Sequence, residues 1–300
     1  MKRMVKIGVW GVALLLVSAC GNRLPDYDAT GTFEATEVIV SAEASGKILQ
    51  LKVEEGTRLK VGEEVGLVDT VQLYLKKLQL EASMKSVESQ RPDLAKQIAA
   101  TKQQIATAQR EKRRVESLLA AGAANQKQLD DWEAQVALLE RQLVAQESSL
   151  RNSTNSLTEQ GNSVAIQIAQ VDDQLNKCHI LSPIDGTVLA KYAEAGELAT
   201  VGKPLFKVGE LDRMYLRAYI TSEQLSSVKL GDEVRVYADY GNSERKEYSG
   251  VLTWISDRSE FTPKTILTQN ERANLVYAVK IAVKNDGLLK IGMYGGITFK

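Results

Sequence analysis

The stretch SPIDGTVLAKYAEAGELATVG at residues 182–202 is the most informative part of the sequence for the fold. A less regular copy of it, AEASGKILQLKVEEGTRLKVG, occupies residues 42–62. The two copies are 140 residues apart and align without a gap. Three glycine pairs and three apolar pairs coincide: Gly46 with Gly186, Gly56 with Gly196, Gly62 with Gly202, Ile48 with Val188, Val61 with Val201, and Val65 with Leu205. Each copy therefore predicts short strands joined by glycine turns.

Composition excludes some classes of function. The 300 residues carry 38 basic and 38 acidic side chains, so no overall basic field points to nucleic acid. Aromatic residues make up only 6% of the chain, which is low for one large globular core. Such a composition favours long helices rich in Ala, Gln, Leu and Lys.

The long insert between the copies has a helical pattern. From residue 73 to residue 177 it holds a single proline, Pro92, and two glycines. Its second half keeps one heptad position apolar throughout: Leu129, Val136, Leu143, Leu150, Leu157, Val164 and Val171. The other seam position becomes polar after Leu139: Trp132, Leu139, Gln146, Ser153, Gln160, Gln167 and Gln174. This pattern favours a two-helix coiled coil with a thin apolar seam.

The insert also contains signals for its turn and for a weak point. Gly122 can end one helix in the left-handed conformation, and Asn125 can cap the next. The insert is thus predicted to be an antiparallel hairpin with arms of about 70 Å. Pro92 and the weak helix formers at residues 151–163 predict a kink or short break in its base-proximal half. The alternative is that Pro92 lies in a harmless solvated bend.

The insertion explains the duplication. A half-motif of about thirty residues buries too little surface to be stable alone, so the two halves are expected to face each other in a small β sandwich. Asp69 and Cys178 must then be adjacent in space. A helical hairpin has its two ends side by side, and it can be inserted there without disturbing the sandwich.

The last third changes to strand-like patterns at residues 214–220, 233–240, 248–256 and 275–283. Between the first two lies a short predicted helix, capped by Thr221 or Ser222 and followed by a turn at Gly231. Strands around one short helix predict a small antiparallel barrel.

The first twenty residues have the pattern of an export signal. A cationic start precedes an apolar run that is short for a membrane span, and VSAC at residues 17–20 resembles a bacterial lipobox. Cys20 is therefore the predicted lipid attachment site, and its acyl chains would hold the mature chain on a membrane. An ordinary export signal with an incidental cysteine is the alternative.

The sequence offers no catalytic set. Cys178 and His179 are adjacent and suggest a dyad or half a metal site. However, His179 is the one histidine and the other cysteine is Cys20, so Cys178 is expected to be a small buried residue. The clustered carboxylates fit a solvated turn better than an acid–base pair: Glu54, Glu55, Glu63 and Glu64. We predict no enzyme, no cofactor and no metal site.

The split motif, its insertion point and the export signal together resemble the HlyD family of periplasmic adaptors, also called membrane fusion proteins. The resemblance implies an elongated α+β fold, in which a split lipoyl-like β sandwich carries an inserted antiparallel α-helical coiled-coil hairpin and a small antiparallel β-barrel follows. A true lipoyl carrier would present a modifiable lysine where the hairpin stands. The implied division is signal peptide 1–19, lipid-anchored linker 20–36, lipoyl-like half 37–70, hairpin 71–177, second lipoyl-like half 178–211 and barrel 212–300.

The resemblance also implies a function. The family's tip motif for an outer-membrane channel matches Arg114 and Leu118, with Asn125 in place of a serine. A solvated Arg114 and a seam-forming Leu118 are the alternative. The implied protein is a periplasmic adaptor of a Gram-negative envelope, forming a ring, usually of six copies, between an inner-membrane transporter and a TolC-like channel. Residues 260–281 resemble adaptors of ABC-type exporters; an RND-type pump, or a coiled-coil envelope tether without transport, stay as alternatives.

Overall fold

The computed structural model describes residues 27–241, 245–260 and 276–299. Within those ranges the elements are β1 (Ala29–Ser41), β2 (Gly46–Leu51), β3 (Arg58–Leu59), β4 (Glu64–Val68), α1 (Val71–Ser89), α2 (Leu94–Ala120), α3 (Gln126–Asn176), β5 (His179–Leu181), β6 (Gly186–Lys191), β7 (Leu198–Ala199), β8 (Pro204–Thr221), α4 (Ser222–Leu225), β9 (Glu233–Asp239), β10 (Arg245–Glu260), β11 (Val276–Lys284) and β12 (Tyr294–Thr298).

The two sequence copies form one sandwich in which each half completes the turns of the other. The Gly56 N–H donates to the Val188 carbonyl at 2.9 Å, and 140 residues on, the Gly196 N–H donates to the Ile48 carbonyl at 2.8 Å. The same exchange between the halves holds from Gly62 to Ser182 and from Gly202 to Ala42. Within each half an equivalent bond repeats as well, from Lys52 to Val65 and from Tyr192 to Leu205. The sequence repeat is therefore a pseudo-two-fold axis in the fold.

The repeated glycines serve these turns. Gly56 and Gly196 have φ of 87° and 97°, a region that glycine enters without steric cost. Two of the three apolar pairs are buried in the sandwich core: Ile48 with Val188, and Val65 with Leu205. The third pair, Val61 and Val201, is 62% and 69% exposed because each valine lies in a turn just before a glycine.

The hairpin leaves the sandwich where the two halves meet. The Val68 N–H donates to the Cys178 carbonyl at 2.9 Å, which confirms that residues 69 and 178 are neighbours. The first arm is divided, because α1 ends at Ser89 and α2 begins at Leu94, with the Asp93 side chain accepting from the Lys96 N–H. The predicted break at Pro92 is therefore present, whereas residues 151–163 stay helical within the continuous α3.

The seam is thicker near the base than the strict heptad predicts. The predicted apolar positions from Leu129 to Val171 are all at least partly buried. The predicted polar partners Ser153, Gln160, Gln167 and Gln174 are exposed, and the inward positions are Thr154, Gly161, Ile168 and Leu175. A straight helix of 3.6 residues per turn drifts away from a seven-residue repeat, which shifts the seam by one residue.

The last third forms a closed barrel. Six strands follow in the order β1, β12, β9, β10, β11 and β8, and pairing of β8 with β1 closes the ring. Its interior is apolar, with Phe33, Leu216, Ile281 and Ile297 fully buried. The predicted strands and the short helix capped by Thr221 are confirmed.

Two predicted boundaries need correction. Residues 29–36, assigned to a linker, belong to β1, which pairs with β12 and β8. The boundary at residues 211 and 212 falls inside β8, so β1 and β8 pass from sandwich to barrel as a paired ribbon, with Val38 opposite Val208 and Phe33 opposite Leu216. The place of β1 in both domains was not predicted because its Thr, Glu and Gly residues conceal the alternation of burial.

Candidate docking site at the hairpin tip

The end of α2 is fixed by Gly122. Its φ is 71°, its N–H donates to the Leu119 carbonyl at 2.9 Å, and the Ala123 N–H donates to the Leu118 carbonyl at 2.8 Å. These two bonds form the Schellman motif, in which a left-handed residue satisfies the last carbonyls of a helix. The predicted helix end at Gly122 is confirmed.

Asn125 begins α3 by a reciprocal cap. Its Oδ1 accepts from the Gln128 N–H at 2.9 Å, and the Gln128 Oε1 accepts from the Asn125 N–H at 3.2 Å. The carbonyl end of the Asn125 amide is thus occupied by the cap. Its Nδ2 donates to no other group among the described residues, and it can donate to a partner.

Arg114 and Leu118 lie on one face of α2, one turn apart. The Arg114 side chain is 73% exposed, and its nearest carboxylate, Glu111 Oε2, is 3.6 Å away. Leu118 is 40% exposed, whereas the seam is occupied by the partly buried Val115 and Leu119. Leu118 is therefore an outward apolar residue and not a member of the seam.

An ion pair between the two arms, close to the tip, holds the end of the hairpin together. The Lys112 Nζ lies 3.0 Å from Glu133 Oε1 on the other arm and 3.6 Å from Glu116 Oε1. The hydrogen bond to Glu133 raises the pKa of Lys112. A lysine at a seam position is a sequence signal for such an ion pair with the other arm, and a search for apolar periodicity alone misses it.

The apolar seam supports the same region. A small apolar cluster lies next along the hairpin, with Ile105, Ala108 and Leu139 buried and Trp132 packed against them. Arg114, Leu118 and Asn125 are therefore brought to one end of a stiff support.

The adjacent Cys178 and His179 do not form a dyad. Cys178 is fully buried, its Sγ donates to the Gln174 carbonyl at 3.3 Å, and burial together with Asp69 raises the pKa of its thiol. His179 is exposed and its Nδ1 lies 3.0 Å from Glu64 Oε1. In the described ranges no cluster of three or more His, Cys, Asp or Glu side chains could hold a metal ion.

The signal segment and Cys20 lie outside the described residues, as does most of the 260–281 segment. Of the helices within the described ranges, none combines the length and the hydrophobicity needed to cross a membrane.

Comparison with known proteins agrees with this architecture. Residues 36–209, more than half of the chain, match the family model described as the barrel-sandwich hybrid domain of RND membrane fusion proteins. The chain therefore belongs to the membrane fusion proteins. These proteins are non-enzymatic periplasmic adaptors that work with inner-membrane transporters and outer-membrane channels, so the chain is an adaptor subunit and not an enzyme.

Individual relatives cover almost the whole chain. A UPF0194 membrane protein of Citrobacter koseri is 26% identical, covering 100% of this chain and 98% of its own length. The UPF0194 membrane protein YE2891 of Yersinia enterocolitica is 27% identical and covers 96% of each chain. The crystal structure of MacA from Actinobacillus actinomycetemcomitans is similar in fold, with a TM-score of 0.57, 21% identity, and coverage of 90% of this chain and 76% of MacA.

Proposed function

We propose that the chain joins an inner-membrane transporter to a TolC-like outer-membrane channel for efflux or secretion. The observation that carries this proposal is the projection of a long hairpin from the sandwich, since the 51 residues of α3 extend for about 75 Å. A projection of this length, ending in exposed polar and apolar groups, suits contact with a distant partner.

The direction of the projection supports an anchored adaptor. Cys20, the proposed lipid site, is nine residues before Ala29, which is the start of β1 in the barrel. Nine residues span at most about 30 Å, so the barrel would stay close to the membrane. β1 then runs toward the sandwich, from which the hairpin leaves, so the tip would point away from the membrane into the periplasm.

The tip would bind the channel through three side chains. The Arg114 guanidinium can donate to carbonyl groups at helix ends of a channel, and the exposed Leu118 gives a small apolar contact beside it. The Nδ2 of Asn125 adds one donor, while its Oδ1 keeps the turn in place.

A ring of copies, six by resemblance to the family, would place several hairpins side by side. α1 supports this arrangement because it exposes an apolar stripe at helical spacing along its outer face, with exposed fractions between 43% and 55%. The stripe consists of Val71, Tyr74, Leu75 and Leu78.

The transporter is proposed to be of the ABC type, on the resemblance of residues 260–281 to adaptors of such exporters. An RND-type pump is the second candidate, favoured by the description of the matching family model. Affinity purification of the anchored adaptor from its own membranes separates the two, because it would recover either a permease with its ATPase or a large proton-driven pump.

The docking proposal is tested by charge reversal at the tip. Arg114→Glu should reduce in-cell cross-linking to the channel by at least tenfold and should abolish export, because a carboxylate repels the carbonyl groups it would meet. Arg141→Glu reverses another exposed arginine, on α3 away from the tip; it is the matched control and should behave as the wild type. Unchanged cross-linking and export in Arg114→Glu would refute docking through this residue.

A further inference from the structure

The outer face of the barrel carries a groove, here called the barrel groove, whose residues take no part in the docking proposed above. Its floor is formed by the outward side chains of adjacent strands, Tyr215 and Arg217 on β8 and Lys280 on β11. Glu34, Ala35 and Thr36 of β1 line one side, and Thr253 and Trp254 of β10 line the other. The groove has a volume of about 570 Å³ and is open to solvent.

Two irregularities in strand pairing lie at the sides of the barrel groove. On β1 the pairing with β8 shifts register between Glu34 and Thr36, and on β10 the pairing with β11 shifts between Leu252 and Trp254. Bulges re-aim side chains and are frequent beside binding sites. Here Thr253 is the extra residue of β10 on one side, and on the other side Ala35 lies opposite residues 211–214 of β8, which are the extra residues there.

The side chains of the barrel groove are incompletely used. The Arg217 Nη2 donates to Glu260 Oε1 and Oε2 at 2.9 and 3.3 Å, but its Nε is buried without a hydrogen-bond partner. Trp254 is 40% exposed, and the Lys280 Nζ lies 5.8 Å from the centre of its ring. The exposed indole and the lysine ammonium group beside it are the groups that a ligand in the barrel groove can reach.

Charge and shape narrow the class of ligand. Two cations, Arg217 and Lys280, are balanced by two carboxylates, Glu34 and Glu260, so the surface gives no net attraction to phosphate groups. The barrel groove is also open to solvent, whereas sites for small metabolites enclose most of the ligand. An uncharged, elongated, hydroxyl-rich molecule fits both properties.

We infer that the barrel groove binds a saccharide chain. The C–H face of a sugar ring can pack on the electron-rich face of the Trp254 indole. Its hydroxyl groups can accept from Arg217 and Lys280 and donate to Glu34. In the OB-fold, another small barrel of antiparallel strands, one strand face with its loops binds oligosaccharides. In the periplasm, where the proposed function places the chain, the glycan strands of peptidoglycan have this chemistry.

The test uses the full chain and two probes, a linear tetramer of N-acetylglucosamine and isolated peptidoglycan sacculi. The tetramer should change the fluorescence of Trp254, and the chain should co-sediment with sacculi. Trp254→Ala and Lys280→Ala should each weaken both binding signals by at least tenfold. Tyr294→Ala removes an aromatic side chain that is 71% exposed on β12, outside the barrel groove, and should leave both signals unchanged.

The outcomes separate this inference from the adaptor role. Lost saccharide binding in the groove variants, with intact thermal unfolding and intact channel cross-linking, supports it. Absence of binding by the wild-type chain, or equal binding by Trp254→Ala, overturns it. Loss of transporter capture in Trp254→Ala without any saccharide binding also overturns it, and would assign the barrel groove to a protein contact.

Discussion

The body, meaning the sandwich and barrel together, differs from the hairpin in how side chains are buried. The body holds two clusters of buried side chains, one in each domain, including Phe33 and Phe206 with no exposed surface. The hairpin buries few residues along its seam, and its one cluster contains three buried residues. The body is therefore stabilised by tertiary burial, whereas the hairpin relies on local helix formation and a narrow contact between its arms.

Because of this difference, the residues proposed to choose the partner are not the residues that stabilise the fold. The tip residues Arg114 and Leu118 are exposed, so they can change with little cost to folding. The repeated glycine turns of the sandwich have no such freedom, because each is bonded to the other half.

The largest expected effect comes from truncating a core side chain of the body, and the matching truncation in the hairpin seam should have a smaller effect. Phe206→Ala should lower the free energy of unfolding by about 3–5 kcal/mol, since it leaves a cavity in the sandwich. Leu157→Ala, at a partly buried seam position, should cost clearly less because solvent already reaches that site. Chemical denaturation measures both, and equal losses would show that the seam is packed as tightly as the body.

A smaller effect is expected at the hairpin turn. Asn125→Ala removes the acceptor for the Gln128 N–H and should destabilise the start of α3 by about 1 kcal/mol. Hydrogen exchange at the first-turn amides should become faster there and stay unchanged in the body. Asn125→Ser keeps a capping oxygen and serves as the control; if it exchanged as fast as the alanine variant, capping would not be the cause.

The smallest effect is expected from an exposed network on the barrel. Lys246 and the Leu288 N–H hold the pKa of Asp286 below its usual value. The stabilisation is present above the unfolded pKa of about 3.9 and is lost as the pH falls through the lower folded pKa. Asp286→Asn should therefore slightly lower the melting temperature at pH 7 and not at pH 2. A constant difference at both pH values would contradict this cause.

Much of the fold could be predicted because the glycine pattern within each copy and the heptads of the insert are visible in short stretches of sequence. The paired glycines predicted the sandwich, and Gly122 and Asn125 predicted the turn. The pairing of β1 could not be found, because its partners are more than 160 residues away and its polar residues mask its alternation. The seam shift near Gly161 depends on helical drift, which a strict seven-residue count ignores.

The candidate sites differ in the same way. Arg114, Leu118 and Asn125 lie close together in sequence, so a motif can identify them. The barrel groove combines residues from four strands, and its sides depend on breaks in strand pairing beside Ala35 and at Thr253 that no periodicity reveals. The only sequence signal was an outward-facing tryptophan, Trp254, in a strand that otherwise alternates.

The central claim is that two distant half-motifs form one body that does not need the hairpin to fold. Its most direct test removes residues 71–177 and joins Thr70 to Cys178 through a short glycine-rich turn, because the Val68 N–H and the Cys178 carbonyl are already 2.9 Å apart. The shortened chain should be soluble, should unfold cooperatively and should show the dispersed amide resonances of a β protein. A shortened chain without a cooperative transition would contradict it.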